Sequence, residues 1–317
     1  MQREPEAPNF QARFAQRWHH LHHPHVRALA WLLDAPDLLD AGAEQWRGKI
    51  ATLGAHCATD AADWLAGLEA QPALLEAYLG ATPYTRLGRY AEKLMAFYFE
   101  QHDMLVAHGV QVRENKNKTI GEFDFLLRDG EHLLHWEFAT KFYLLETSGA
   151  GHEADYFVGP NLADTLGAKM NKIFERQLML AAHPASQPYL SQPVSAARAL
   201  VKGWLFYHRG ELGPYPGIGL QLDHCRGFWC TLAELVGRDD QLCVILGRIE
   251  WLAPARIAAE SGMDLARLRV ALEVYFEHDT MPVMVALLRQ EGDGLVETSR
   301  GFIVPDDWRK RAGLRRA

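Results

Sequence analysis

Cysteine is scarce in this sequence. Its 317 residues include 4, Cys57, Cys225, Cys230 and Cys243, with no CxxC pair and no zinc-ligand spacing. That argues against a disulfide scaffold or a structural zinc site and favours four reduced, metal-free thiols. An excess of positive charge is also missing. The formal net charge is −7, which argues against a general basic coat for nucleic acid. A local basic cleft stays compatible with it, because binding follows the distribution of charge. No apolar run approaches the roughly 20 residues of a membrane span. The opening residues, MQREPEAPNF, are charged and contain proline, unlike a signal peptide. These absences predict a soluble, cytoplasmic protein with no membrane partner. Also absent are a P-loop, a Rossmann glycine pattern, a nucleophile elbow and an HExxH motif.

What remains is an ordinary globular composition, 48% hydrophobic and 23% charged, long enough for one large domain or two. Residues 1–83 read as a helical, alanine-rich region, a small subdomain or lid. Within it HVRALAWLLDAPDLL places Val26, Leu29, Leu32 and Leu33 at amphipathic spacing before a break at Pro36. Trp46 and Trp64 read as core. Residues 84–208 change character: a helix over 86–101, a strand over 104–113, a hairpin over 121–143, a long helix over 161–182 and a strand over 197–208. A basic loop, NKNK (115–118), precedes the hairpin, and the glycine-bearing ETSGAGHEADYFVGP follows it. The predicted class is α/β (α+β), a mixed sheet flanked by helices. Residues 209–317 open with the turn-rich GELGPYPGIG. They then show strands at CRGFWC and LCVILGRIEWL, a helix near 255–276 and a hairpin turning at Asp293-Gly294. This β-rich extension either lengthens the first sheet or forms a second subdomain.

The most informative segment is Gly121–Lys141, GEFDFLLRDGEHLLHWEFATK. Asp129-Gly130 is a turn signal, and folding about it sets Leu127 opposite His132, Phe125 opposite Leu134, Asp124 opposite His135 and Glu122 opposite Glu137. Because side chains alternate along a strand, Glu122, Asp124, His135 and Glu137 share one face, continued by Ala139 and Lys141. Phe123, Phe125, Leu127, Leu134, Trp136, Phe138 and Phe142 form the other, a core face. Diagonal cross-strand neighbours lie roughly 7–8 Å apart, so Asp124 and Glu137 would reach one cation, with Glu122 beside them. Facing carboxylates destabilise a sheet unless a cation lies between them. The alternative is a sheet with a solvated polar face.

The order helix, strand, strand, strand, helix, strand and the residues GEFDFL and HWEFATKFYL resemble the PD-(D/E)XK nuclease superfamily, with its restriction-endonuclease-like αβββαβ core. LGRYAEKL and GPNLADTLGAKMNKIFERQL extend a likeness to an uncharacterised bacterial family placed in that superfamily, a domain of unknown function. The resemblance implies a divalent metal, Mg²⁺ or Mn²⁺, on Asp124 and Glu137. It also implies a lysine beside them and hydrolysis of phosphodiester bonds in DNA or RNA. The superfamily lysine falls two residues after the acid, where this chain has Ala139. Lys141 stands two further along on the same face, about 6–7 Å away, within partial reach of its flexible stem. An inactive nuclease-fold binding module is the alternative reading.

Further candidates surround that motif. Glu92, four residues after Gly88 on one helical face, either adds a carboxylate as Gly88 lets the helix approach the sheet, or pairs at the surface with Arg89 or Lys93. Lys169, Lys172 and Arg176 form a basic ridge, which with Lys116 and Lys118 would line a phosphate-binding cleft; a plain solvated face is the alternative. Gln177 is similar to a glutamine found after the lysine motif in some superfamily nucleases. His135 serves either beside the metal ligands or as a structural histidine. The histidine tract WHHLHHPHV (18–26) has no interleaved carboxylate or cysteine and reads as surface histidines rather than a metal site.

Overall fold

A computed structural model describes residues 9–54, 56–148, 153–209, 218–238 and 240–315. Most of GELGPYPGIG and the middle of ETSGAGHEADYFVGP lie outside the described residues. The chain opens with α1 (Phe10–Arg17), α2 (Pro24–Asp34), α3 (Cys57–Asp60), α4 (Ala62–Ala70) and α5 (Ala73–Leu79). Then come α6 (Leu87–Gln101), β1 (Leu105–Asn115), β2 (Lys118–Asp129), β3 (His132–Leu145), β4 (Phe157–Val158), α7 (Leu166–Glu175) and β5 (Val194–His208). The rest forms β6 (Cys225–Thr231), β7 (Leu242–Ile245), β8 (Arg256–Ala258), β9 (Met263–Asp264), α8 (Leu265–Phe276), β10 (Val283–Glu291), β11 (Gly294–Val304) and α9 (Trp308–Gly313).

The fold is mixed α/β. One sheet runs β1-β2-β3-β5-β6-β11-β10-β7-β9, with β4 paired to β3 and β8 to β11. Its centre is parallel, β3 with β5, β5 with β6 and β6 with β11, and its outer hairpins are antiparallel. The β-rich extension therefore lengthens the first sheet. Helices α1 to α6 cover one face and share its core. Trp31 stacks on Trp204 of β5 at 6.3 Å, and Phe10 meets the same ring edge-on at 5.8 Å. Helix α7 covers the other face, where Leu166, Met170 and Ile173 pack on Ala199, Val201 and Leu205. Each large apolar side chain buried this way contributes about 1.5–3 kcal/mol. Among the described residues no helix is long and apolar enough to cross a membrane.

Local chemistry sets several boundaries. Pro24 at the first position of α2 presets its φ angle; Ala35, before Pro36, is extended and ends it. The long helix expected over 161–182 is divided. α7 begins at Thr165, whose Oγ1 accepts from Ala168 N, and stops at Arg176; Gln177–Ala182 is a 3-10 segment. Leu178 and Leu180 are both buried, in different core clusters, and residues two apart do not share an α-helical face. The strand expected over LCVILGRIEWL shortens to β7, and the helix near 255–276 begins at Leu265, after the short strands β8 and β9.

The central hairpin also corrects its expected register. Asp129 pairs with His132, Leu127 with Leu134 and Phe125 with Trp136, two residues away from the expected pairing. Gly130, with φ of 56°, takes the first central turn position, as in a type II′ turn. An even slide keeps side chains on their expected faces from Phe125 onward, but not before Asp124, where Glu122 turns to the α6 side. Phe123 leaves the face of Phe125 and packs edge-on against His135 at 4.8 Å, among Val112, Leu126, Leu133 and Leu180. The strand changes its alternation at Asp124.

Candidate metal centre

Strands β2 and β3 pair as far as Phe125 and Trp136 and then part. Asp124, the next residue, turns its carboxylate into the fork, where Oδ2 accepts from the backbone N–H of Phe138 at 2.9 Å. Glu137 lies beside it on β3, only 1% exposed. The two carboxyl groups lie close enough to perturb each other, and a shared proton or a cation would relieve that crowding. Glu137 is further held by His135, whose Nε2 lies 2.8 Å from Oε1, and by Gln177, whose amide donates to Oε2.

Glu92 and Glu122 complete the cluster. Single carboxylate oxygens of Glu92, Glu122 and Asp124 all lie within 4.8 Å of one another, a spacing suited to one hard cation with oxygen ligands. Glu137 stands outside that trio, on the α7 side of Asp124. Glu92 faces inward on the α6 stripe that buries Met95 and Phe99, and among the described residues no ion pair holds it at the surface. Lys93 instead lies over the Tyr78 ring at 4.0 Å. Gly88 does not bring α6 against the sheet: a side chain there would meet nothing within 4 Å.

The electrostatics follow from this crowding. Burial, then repulsion from Asp124 and Glu122, pushes Glu92 up to about 7. Burial and the neighbouring Glu137 push Asp124 up to about 7, and burial does the same to Glu137. His135 is driven down to about 4 by burial. It is therefore a neutral ring hydrogen-bonded to Glu137 rather than an ion-pair partner, and its Nδ1 has no hydrogen-bond partner among the described residues.

On the α7 side a small cavity is lined by Glu137, Ala139, Lys141, Lys169, Lys172 and Gln177. Lys141 makes no hydrogen bond or ion pair among the described residues; burial, then Lys169, lowers it to about 8. Lys169 pairs with Asp164 at 3.3 Å. The structure thus brings Lys141, Lys169, Lys172 and Gln177 to Glu137. It does not bring the other predicted basic residues. Arg176 is exposed at the end of α7. Lys116 and Lys118 belong to the tight β1–β2 turn, not to a loop, and Lys118 pairs with Glu114 at 2.7 Å. Six residues along β2, about 20 Å, separate Lys118 from Asp124. In the histidine tract, His23 meets Glu76 at 3.0 Å and His25 meets the Tyr90 hydroxyl at 2.7 Å. The only group of metal-ligating side chains among the described residues is the acidic trio.

Sequence reasoning missed the cations that join this region from afar, Arg86 before α6 and Arg248 after β7, which line a second cavity with Lys141 and Lys169. No motif marks either arginine; only the topology brings them to β3.

Fold and site together define a mixed α/β protein with a half-buried acidic cluster at a strand fork and lysines beside it. Residues 27–304 match the family described as "Domain of unknown function (DUF1853)", and the chain belongs to that family. No curated protein and no solved structure matches it.

Proposed function

We infer that this chain is a divalent-metal-dependent nuclease of the PD-(D/E)XK type, hydrolysing phosphodiester bonds in nucleic acid. One observation carries the reading: the carboxylates of Glu92, Glu122 and Asp124 converge within 4.8 Å where β2 and β3 part, with Glu137 beside Asp124, on an α6-β1-β2-β3-α7-β5 order. Such crowding is costly in a protein interior and is relieved by a cation. Mg²⁺ or Mn²⁺ would sit on Asp124 with Glu92 and Glu122, and Glu137 would complete the set from the other side. The bound ion would lower the pKa of a water and clamp the phosphate. Lys141 would orient that water or offset developing charge, and Lys172, which also faces Glu137, is the next candidate for that role. The four cysteines are buried and free, in keeping with a cytoplasmic enzyme.

A second reading, an inactive nuclease-fold module that binds nucleic acid, has its own observation. Both oxygens of Glu137 already have protein partners, and Ala139 stands where the superfamily has lysine. Single-turnover cleavage of DNA and RNA oligonucleotides in Mg²⁺ and in Mn²⁺ separates the two. The enzyme reading expects cleavage that disappears in Asp124→Asn and in Glu137→Gln. Binding without cleavage in either metal selects the inactive module, and cleavage by Asp124→Asn at the parent rate removes the site assignment.

A further inference from the structure

Between Glu137 and Tyr143 one edge of β3 is bare of any partner strand among the described residues. Pairing with β2 ends at Trp136, and pairing with β4 begins at Leu144. The acidic fork occupies one end of this bare edge. At the other end lies a separate cavity of about 340 Å³. Lys141 and Lys169 line both this cavity and the small one beside Glu137, so the two openings adjoin at these lysines.

The second cavity is strongly cationic. Arg86, Lys141, Lys169 and Arg248 face it, against a single carboxylate, Asp164. That carboxylate is already engaged by Lys169 and by the Tyr143 hydroxyl. Arg86 and Lys141 make no hydrogen bond or ion pair among the described residues, and Arg248 only overlies the Trp251 ring at 5.0 Å. The first turn of α6 also lines the cavity, and its N-cap, Arg86, supplies no side-chain hydrogen bond to the turn. Free N–H groups at a helix start favour anions. Far from the fork, β4 and the Gly159–Pro160 turn close the edge, so a strand entering from the fork would stop there.

We propose that this cavity is an anion subsite for the terminal phosphate of a nucleic-acid strand, so that the preferred substrate is an end-phosphorylated strand. The proposal rests on the nuclease reading for its choice of substrate. Four cations against one engaged carboxylate suit a phosphomonoester, at about −1.5 to −2, better than the single charge of an internal diester. Trp251 and Phe142 in the cavity wall offer apolar surface to the last nucleoside. Four residues of β3, about 13 Å, separate Glu137 from Lys141, so the anchored end lies beyond the bond being cut.

The test is equilibrium binding of a 12-nucleotide single-stranded DNA carrying a 5′-phosphate, a 3′-phosphate or neither, in Ca²⁺, to the full chain and to an Arg86→Ala/Arg248→Gln variant. Both arginines are exposed, and an Arg86→Glu variant provides a second disruption of the same subsite. One phosphorylated form is expected to bind at least tenfold tighter than the unphosphorylated strand, with the preference lost in the variants. Equal binding of all three strands, no binding, or a preference that survives both variants overturns the proposal. Mg²⁺-dependent cleavage, measured separately on the unphosphorylated strand, tells the two failures apart. Cleavage without an end preference ends the subsite and leaves the nuclease reading standing. An end preference without cleavage does the reverse.

Discussion

Two sets of buried charge lie on the same sheet and could hardly differ more. On β11, Arg300 and Glu297 are fully buried and matched. Nε and an Nη of the arginine each reach a glutamate oxygen at 2.7 Å, the remaining donors go to the carbonyls of Trp251 and Ala253, and Glu297 also accepts from Ala255 N at 2.8 Å. At the fork, Glu92, Glu122, Asp124 and Glu137 crowd together, and among the described residues their hydrogen-bond partners are neutral, His135, Gln177, Gln111 and a backbone N–H. Matched buried charge is architecture. Carboxyls crowded together, with their protons held to about pH 7, are the observation on which the proposed cation site rests.

The largest expected effect tests the structural side of this contrast. Arg300→Ala leaves Glu297 buried and unpaired, and should cost about 3–5 kcal/mol of stability in urea unfolding. A cost below about 1 kcal/mol would mean that the pair is not structural. At the fork the signs divide. Asp124→Asn should lower metal-dependent cleavage by about 100-fold or more, yet leave metal-free stability unchanged or raised by about 1 kcal/mol as repulsion is relieved. A large loss of metal-free stability would make the fork architecture as well. Lys141→Ala should slow single-turnover cleavage about tenfold or more and weaken binding less. Unchanged turnover would pass the lysine role to Lys172 or Lys169.

The smallest effect is in pH. Glu92, Asp124 and Glu137 keep protons in the folded state up to about pH 7 that the unfolded chain releases near pH 4. Their contribution to metal-free stability is therefore complete at low pH and lost as pH rises through about 7. Buried His135 and His224, driven down to about 4, act in the opposite sense, but only below about 6.5. Between about pH 6.5 and 8 the three carboxyls outweigh the tail of the histidine effect and the onset of Lys141 deprotonation, which act in the opposite sense. Thermal unfolding across that window should show a falling melting temperature, less steep in Glu92→Gln by about 1 kcal/mol; an equal slope in that variant would remove Glu92 from the cluster.

Much of this architecture was legible because local signals agreed with it. Alternation in GEFDFLLRDGEHLLHWEF gave the hairpin, and the stripe of Leu87, Ala91, Leu94 and Tyr98 gave α6. The turn chemistry gave the right place and the wrong closing pair, since Asp-Gly suits more than one two-residue turn. Phe123 could not be placed from alternation, because the strand changes hand where Asp124 enters the fork. Glu137 and Asp124 were readable as neighbours. The contribution of Glu122 was assigned through a facing pair with Glu137 that the register does not make; it reaches the cluster beside Glu92 instead. Lys116 and Lys118 illustrate the opposite error, basic residues near the motif in sequence but carried away by an extended strand. Arg86 and Arg248 lie far apart in the chain and were beyond any local pattern.

The central claim is that the fork is a divalent-metal site, and titration calorimetry with Mn²⁺ and Mg²⁺ tests it most directly, comparing the parent with an Asp124→Asn/Glu137→Gln double variant. The account predicts saturable binding to the parent, with protons released as the raised carboxyls ionise, and its loss in the variant. No binding to the folded parent at millimolar metal, or equal binding by parent and variant, would contradict it.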